Sequence, residues 1–310
     1  MIMQNATSTI RRPIRRSRDK LGYLPFLIPG LIGYFVVIAI PFFTNIGLSF
    51  TSWAGIGNPR PIGIANYTRL LADSTFWTSL GNSFAMIIAM AVVPTLLTLF
   101  LSALLYDYIG TAFGPKLASF FRAGFYIPQI IPITVVGILW GWLLMPTGGV
   151  VNSFLKSIGL DALAKNWLGD PSTALPSVML VMIWFQIGYC LVMFMAGLAR
   201  TDPSLTEAAS LDGASWRQRF TYVIVPQLKP EIYVVLLTTT ITALKVFAPI
   251  FVLTKGGPGT ATTVPSYLAW QNFFARNDVG YGAAVSTVMT LVIIVLALVF
   301  QRAQSRGQEN

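Results

Sequence analysis

Six stretches of this chain are too long and too apolar to be hidden together inside a water-soluble fold. They run over residues 23–48, 79–106, 120–145, 174–198, 231–253 and 281–300. Each is close to the roughly 20 residues that cross a hydrocarbon core as a helix. Barrel strands alternate in polarity and are about half as long, so helices are expected. Only 10% of the 310 residues are charged, against 55% hydrophobic. A soluble domain carries roughly 25% charged residues, and so few charges cannot cover a water-facing surface. The expectation is an all-α polytopic membrane protein with six transmembrane helices. A basic arm (1–22) would precede the membrane domain (23–300), and a short tail (301–310) would follow it. The first run is too long for a secretory signal, and Thr44, Asn45, Ile46 and Gly47 at its end lack a small-residue cleavage pattern. It reads as an uncleaved first helix.

The net charge of +10 is local. Arg11, Arg12, Arg15, Arg16, Arg18 and Lys20 stand against one acid, Asp19, just before the first apolar run. Such a cluster is a cytoplasmic retention signal and a contact for anionic headgroups. Nucleic acid is the weaker reading, because the arm has no aromatic residues for stacking. With the N-terminus inside, fourteen of the 21 Lys and Arg fall in inner segments, six fall in outer loops and Lys245 lies within a span. Six crossings then place both termini in the cytoplasm. The chain has no histidine and one cysteine, Cys190. That removes His-based catalysis, most zinc sites and any intrachain disulfide. Cys190 lies in an apolar run and reads as a small buried hydrophobe.

Pro29, Pro41, Pro94, Pro128, Pro132 and Pro249 fall inside the spans. Each removes a backbone donor and is expected to bend its helix, as suits a cavity or gate. Proline is also simply commoner in membrane helices. Between the fourth and fifth spans lies a polar inner loop, 199–230. It holds Pro203 and Ser204 as helix-start residues and Asp212-Gly213 as a helix-end signal. Two short helices joined at Gly213 are expected, the second ended by Pro226. Small Ala208 and Ala209 would let another protein approach closely. The plain alternative is an amphipathic loop resting on headgroups.

Within that loop, Glu207-Ala208-Ala209 is followed after three residues by Gly213, then after nine by Val223, and then by Val225-Pro226. This spacing resembles the EAA loop of permease subunits in ABC importers, with valine in place of the Ile and Leu that usually precede the proline. Leu253-Thr254-Lys255-Gly256-Gly257-Pro258 resembles the signature after the fifth helix of the maltose- and glycerol-phosphate-type first permease of the heterodimer. Gly148-Gly149-Val150-Val151-Asn152 and Asp278 to Ala284 fit as well, and the resemblance extends over roughly residues 20–300. It implies the type I importer architecture in a bacterial cytoplasmic membrane and a second homologous permease as partner. It further implies two ATP-binding subunits below and an extracytoplasmic substrate-binding protein above, meeting the outer loops 146–173 and 254–280. Glu207, Ala208, Ala209, Asp212, Gly213 and Pro226 would form the coupling element that docks in an ATPase groove. Losing one charged contact there would cost ~2–5 kcal/mol. The chain has no Gly-x4-Gly-Lys-Ser/Thr run, so ATP and magnesium belong to the partner subunits and this chain binds no cofactor.

Polar residues within spans are candidates for the substrate path. They are Trp184, Gln186 and Tyr189 in the fourth segment, and Thr238, Thr239, Thr240, Thr242 and Lys245 in the fifth. Aromatic faces with amide and hydroxyl groups suit a sugar. By the resemblance, Gln186, Tyr189, Thr239 and Thr242 fall near sugar-contacting positions. The threonines can instead bond back to their own helix. Lys245 lies about 12 Å from the end of its segment. It can snorkel outward or face an anionic solute such as a polyol phosphate, and the resemblance implies a structural or gating role. A sugar importer permease is the expectation, with a glycerol-phosphate-type solute as the alternative. An ion-coupled carrier or a membrane enzyme would want carboxylates inside the spans, and the sequence offers none.

Overall fold

The structure, a computed structural model, describes residues 24–105 and 114–308. The basic arm lies outside the described residues, as do 106–113 of the first inner loop and the last two residues. The described residues fall into two compact units divided between Gly47 and Leu48. The first holds α1 (Leu24–Tyr34), a π-helical turn (Phe35–Ala39) and most of α2 (Ile40–Ser49). Phe26–Ser49 runs as one 24-residue helix whose large apolar side chains, Phe26, Val37 and Phe43 among them, are exposed. Water solvates a surface of that kind poorly, and lipid solvates it well.

The second unit opens with a two-stranded antiparallel ribbon, β1 (Thr51–Ser52) and β2 (Arg60–Pro61), in which Thr51 pairs with Pro61. Helices α3 (Ala65–Ala72), α4 (Ser74–Ile87), a π turn (Ile88–Val92) and α5 (Val93–Ala103) follow. Next come α6 (Pro115–Ile130), α7 (Ile133–Leu143), α8 (Val150–Ser157) and the 28-residue α9 (Pro171–Leu198). The inner loop carries α10 (Pro203–Leu211), α11 (Trp216–Arg219), a π turn (Phe220–Ile224) and α12 (Val225–Gln227). The chain ends with α13 (Lys229–Leu244), α14 (Ala248–Leu253), α15 (Pro265–Trp270), a π turn (Gln271–Ala275) and α16 (Val279–Gln308).

Among the described residues, four helices are long and apolar enough to cross a membrane: Phe26–Ser49, Ser74–Ala103, Pro171–Leu198 and Val279–Ser305. Two bent pairs bring the number to six if each pair is one span. They are Lys116–Ile130 with Ile133–Leu143, bent by 97°, and Trp216–Gln227 with Lys229–Leu244, bent by 69°. Two expected spans are therefore interrupted. The run 120–145 breaks at Ile131, which is extended (φ −74°, ψ 131°) because it precedes Pro132. The run 231–253 breaks over Lys245–Phe247, where the ring of Pro249 would collide with the carbonyl of Lys245 in a continuous helix.

Other prolines behave differently. Pro41, Pro94 and Pro226 each follow a π turn by two residues, and the helix continues through them. In these turns the N–H of Ile40, Val93 and Val225 reaches back five residues, to Phe35, Ile88 and Phe220. The wider turn moves aside the carbonyl that the proline ring would strike. Pro226 thus does not end the second loop helix as expected. That helix runs on to Gln227 and turns at Leu228.

Polarity is inverted relative to a soluble core. Ser79, Asn82, Thr98, Ser102, Thr239 and Thr287 are buried, while Phe84, Leu96, Phe100, Leu180 and Val295 are exposed. The buried hydroxyls bond carbonyls of their own helices, as Thr98 does to Pro94 (2.6 Å) and Thr287 to Ala283 (2.8 Å). One apolar cluster joins Leu99, Leu191, Phe194, Leu228 and Val235. Another joins Met86, Met90, Val178, Met182, Ala243 and Ile250. Helix α9 packs on both α5 and α6, and α14 packs on α7.

The start of α16 is locked to the α3–α4 corner. Tyr281 is fully buried and donates its hydroxyl to Asp73 (2.6 Å). The Arg69 guanidinium lies 4.2 Å above the Tyr281 ring and pairs with Asp278 at 2.6 Å. Burial pushes the Asp73 carboxyl up. Hydrogen bonds from Tyr281, from the Thr75 backbone and side chain and from the Phe76 backbone outweigh this, holding it below its ordinary value of 3.8. A depressed carboxyl pKa means the contribution is present above the unfolded value and is lost as pH falls through the folded one. Asp73→Asn should therefore lower thermal stability at pH 7 by about 1 kcal/mol. The gap from the parent should close as the melt is repeated below the ordinary value. Close packing at the same corner gives a second expectation. A Cβ on Gly280 would lie 1.9 Å from the Thr51 carbonyl oxygen. Gly280→Ala should cost about 2 kcal/mol or more, read as a lower melting temperature in detergent.

Candidate functional site

Both interrupted helices open onto one cavity of about 790 Å³. Its wall includes Gln129 to Ile133 at the first break and Lys245 to Pro249 at the second. Helix α9 adds Met182, Phe185, Gln186 and Tyr189, and α13 adds Thr238 and Thr242. Irregular backbone at membrane depth is tolerated where it lines a cavity, because there water or solute can meet the freed carbonyls.

The helix period decides which expected residues meet. Gln186 and Tyr189 are three residues apart and share a face of α9. Thr238, Thr242 and Lys245 fall at i, i+4 and i+7, one stripe of α13 and its C-cap. Tyr189 and Thr238 hydroxyls join the two helices at 3.0 Å. Trp184 does not share this face, because two residues from Gln186 on a helix is about 200° away. It packs edge-on against Trp140, ring centroids 5.6 Å apart. Its other surface meets a separate cleft with Phe120, Phe125 and Pro128. Thr239 also stays out of the cavity: it is 1% exposed and bonds the Val235 carbonyl at 2.6 Å. Thr242 lines the wall while its hydroxyl donates to the Thr238 carbonyl at 2.8 Å. The residues not foreseen are Gln129, Phe185 and Phe247. A glutamine flanked by Pro128 and Pro132 in an apolar run is a signal that could have found the first.

In the 199–230 loop, α10 starts on an Asp202 cap that accepts the Ser204 N–H at 2.9 Å. That bond, then the one from the Ser204 side chain, hold the exposed Asp202 carboxyl below its usual range. The helix ends at Asp212 in a paired motif: Gly213 N–H reaches Ser210 (3.1 Å) and Ala214 N–H reaches Ala209 (3.0 Å). Gly213 sits at φ +78°, which a side chain would resist. Ser215 and Gln218 then form a capping box that starts α11. Glu207 and Ala208 are exposed along α10, and Ala209 is half-buried. The following helix is fixed rather than free. Trp216 stacks on Phe220 (5.4 Å, 6°), and Phe100 at the end of α5 meets both rings edge-on. An Arg200–Glu231 ion pair at 2.6 Å ties the two ends of the loop together.

The Gly256-Gly257-Pro258 segment is a packed turn. Its Gly256 carbonyl accepts from Thr263 Oγ1 (3.0 Å) and its Gly257 carbonyl from Thr262 Oγ1 (2.9 Å). Asn82 on α4 clamps the same loop through Ala261 and Thr263. A Cβ at Gly256 would lie 2.6 Å from the buried Tyr267 ring. The Gly148–Asn152 segment is similarly closed, with Asn152 bridging Pro146, Lys165 and Trp167. No cluster of three metal-ligating side chains occurs among the described residues.

Residues 108–310 match the family described as binding-protein-dependent transport system inner membrane component. A probable ABC transporter permease protein of Pyrococcus horikoshii is 34% identical over 300 residues, 96% of this chain and 100% of that protein. The trehalose/maltose transport system permease protein MalF of Thermococcus litoralis is 31% identical over 282 residues, 91% of this chain and 92% of that protein. Among solved structures, a bacterial ABC transporter involved in the import of the acidic polysaccharide alginate superposes with a TM-score of 0.78. Sequence identity is 25%, and the match covers 93% of this chain and 96% of that one. The chain therefore belongs to the inner membrane components of binding-protein-dependent transport systems: it is a multi-pass permease of an ABC importer, and not an enzyme.

Proposed function

We propose that this permease forms half of a membrane passage for a sugar or oligosaccharide, with the cavity at the two helix breaks as its solute site. The observation that carries this reading is the wall itself. Phe185, Tyr189 and Phe247 offer ring faces for the C–H side of a sugar, and Gln129, Gln186, Thr238 and Thr242 offer groups for its hydroxyls. The trehalose/maltose relative lends support. The other half is a second, homologous permease. An extracytoplasmic binding protein delivers solute at the outer loops, and both termini face the cytoplasm. Two ATP-binding subunits, which carry the ATP and magnesium, dock on the exposed Glu207–Ala209 surface of α10.

In this reading α10 is the handle on which ATP-driven closure acts. Its two-bond end at Gly213 makes a stiff joint to α11, and the Trp216–Phe220–Phe100 contact passes the movement to α5. With the purified four-subunit complex in lipid, ATP hydrolysis stimulated by loaded binding protein should collapse in Glu207→Ala and Gly213→Asp. A loss of roughly tenfold or more matches the removal of a docked charged contact. If both variants assemble, hydrolyse and transport like the parent, α10 is not the coupling element.

The solute site has its own test. Gln186→Leu should raise the half-saturating solute concentration by roughly tenfold, the scale of one hydrogen bond lost from a desolvated site. Trp184→Phe, on the opposite face of α9, should leave it unchanged. Equal effects from the two would remove the cavity from the pathway.

A further inference from the structure

The proposed solute cavity carries a positive charge that no described residue of its wall balances. Lys245 is its cation, and none of the other lining residues is an aspartate or glutamate. A smaller cavity of about 260 Å³ touches the other side of Lys245 through Ser266, Ser286 and Thr290, and its wall holds no carboxylate either. The apolar runs 79–106, 120–145, 174–198 and 281–300 contain no acid at all. The run 231–253 contains only Glu231, at its far end, already paired with Arg200. Among the described residues, the walls of these two cavities thus offer Lys245 no counter-charge.

The backbone strengthens this asymmetry. Lys245 caps the C-terminus of α13, its N–H reaching Ile241 and Thr242 at 3.2 Å. The partial negative end of α13 offsets about half a charge. The N-terminus of the 11-residue α7 borders the same cavity, however, and Pro132 gives it no side-chain cap. Its partial positive end restores about that half charge. The sum is close to one uncompensated positive unit facing a space large enough for a disaccharide.

We propose that the imported saccharide bears an anionic group, a carboxylate or a phosphate, and that Lys245 receives it. This rests on the cavity being the solute passage, and the experiment separates the two. Thr242→Cys places a thiol in the wall of the assembled complex in lipid nanodiscs, and the native Cys190 is fully buried. Its reaction with an anionic methanethiosulfonate, the ethylsulfonate, is compared with that of a cationic one, the ethyltrimethylammonium. The field of an uncompensated lysine should favour the anionic reagent by about tenfold after correction for intrinsic reactivity. Lys245→Met should abolish the preference, and Lys245→Arg should keep it. Digalacturonate should then protect the thiol at about tenfold lower concentration than galactobiose, or trehalose 6-phosphate at lower concentration than trehalose. The pair that differs tells carboxylate from phosphate. A thiol that reacts equally with both reagents overturns the proposal and leaves the passage standing. So does a preference indifferent to Lys245→Met, or protection by neutral and acidic sugars alike. A failure of both acidic sugars to protect has the same meaning. A thiol that neither reagent reaches removes the passage itself.

Discussion

Backbone hydrogen bonding in a medium without water is the constraint on which the rest of this structure depends. Every carbonyl that a proline leaves unmatched must find a partner inside the protein or face a wet space. Five prolines show two answers, while Pro29, Pro128 and Pro176 lie inside their helices. At Pro41, Pro94 and Pro226 a π turn absorbs the misfit and the helix goes on. At Pro132 and Pro249 the helix stops, and both stops border the same cavity. The first answer keeps a span intact, and the second converts two spans into walls of a site. The residue type is the same in each case. The difference is that a cavity lies beside Pro132 and Pro249, whereas Pro94 is packed in the interior and Pro41 and Pro226 are exposed.

The organisation of the chain was readable from its residues to a considerable depth. Runs of apolar residues located the helices, and the Glu207–Pro226 spacing located the loop between α9 and α13. Gly213 announced its own turn, since only glycine suits φ +78° there. What escaped was interruption within a run. Hydropathy averages over a window and is blind to a three-residue break such as Lys245–Phe247. Trp184 and Thr239 lie off the cavity wall for a simpler reason. Trp184 enters as a polar residue within a span and Thr239 also through the family resemblance, and neither criterion follows a helix that turns about 100° per residue. Applying that rotation separates Trp184 from the cavity face, whereas Thr239, three residues from Thr242, is withdrawn by burial and its bond to the Val235 carbonyl.

The motifs that carry the family resemblance divide into two physical kinds. Gly256, Asn152 and the Asp73–Tyr281–Arg69–Asp278 group hold loops and helix ends in place by contact and hydrogen bonding. The α10 surface is the opposite: Glu207 and Ala208 touch little within the chain and are free to meet something else. The motifs of the resemblance thus include residues held by internal contacts and residues left exposed.

The break at Lys245 also divides its apolar run unequally. Helix α13 has 16 residues and α14 only six, which is about 24 Å against about 9 Å of axial length. The cavity is therefore set toward the end of the span that carries the Gly256–Pro258 turn. The run is thus cut into more than four helical turns on one side of the cavity and fewer than two on the other.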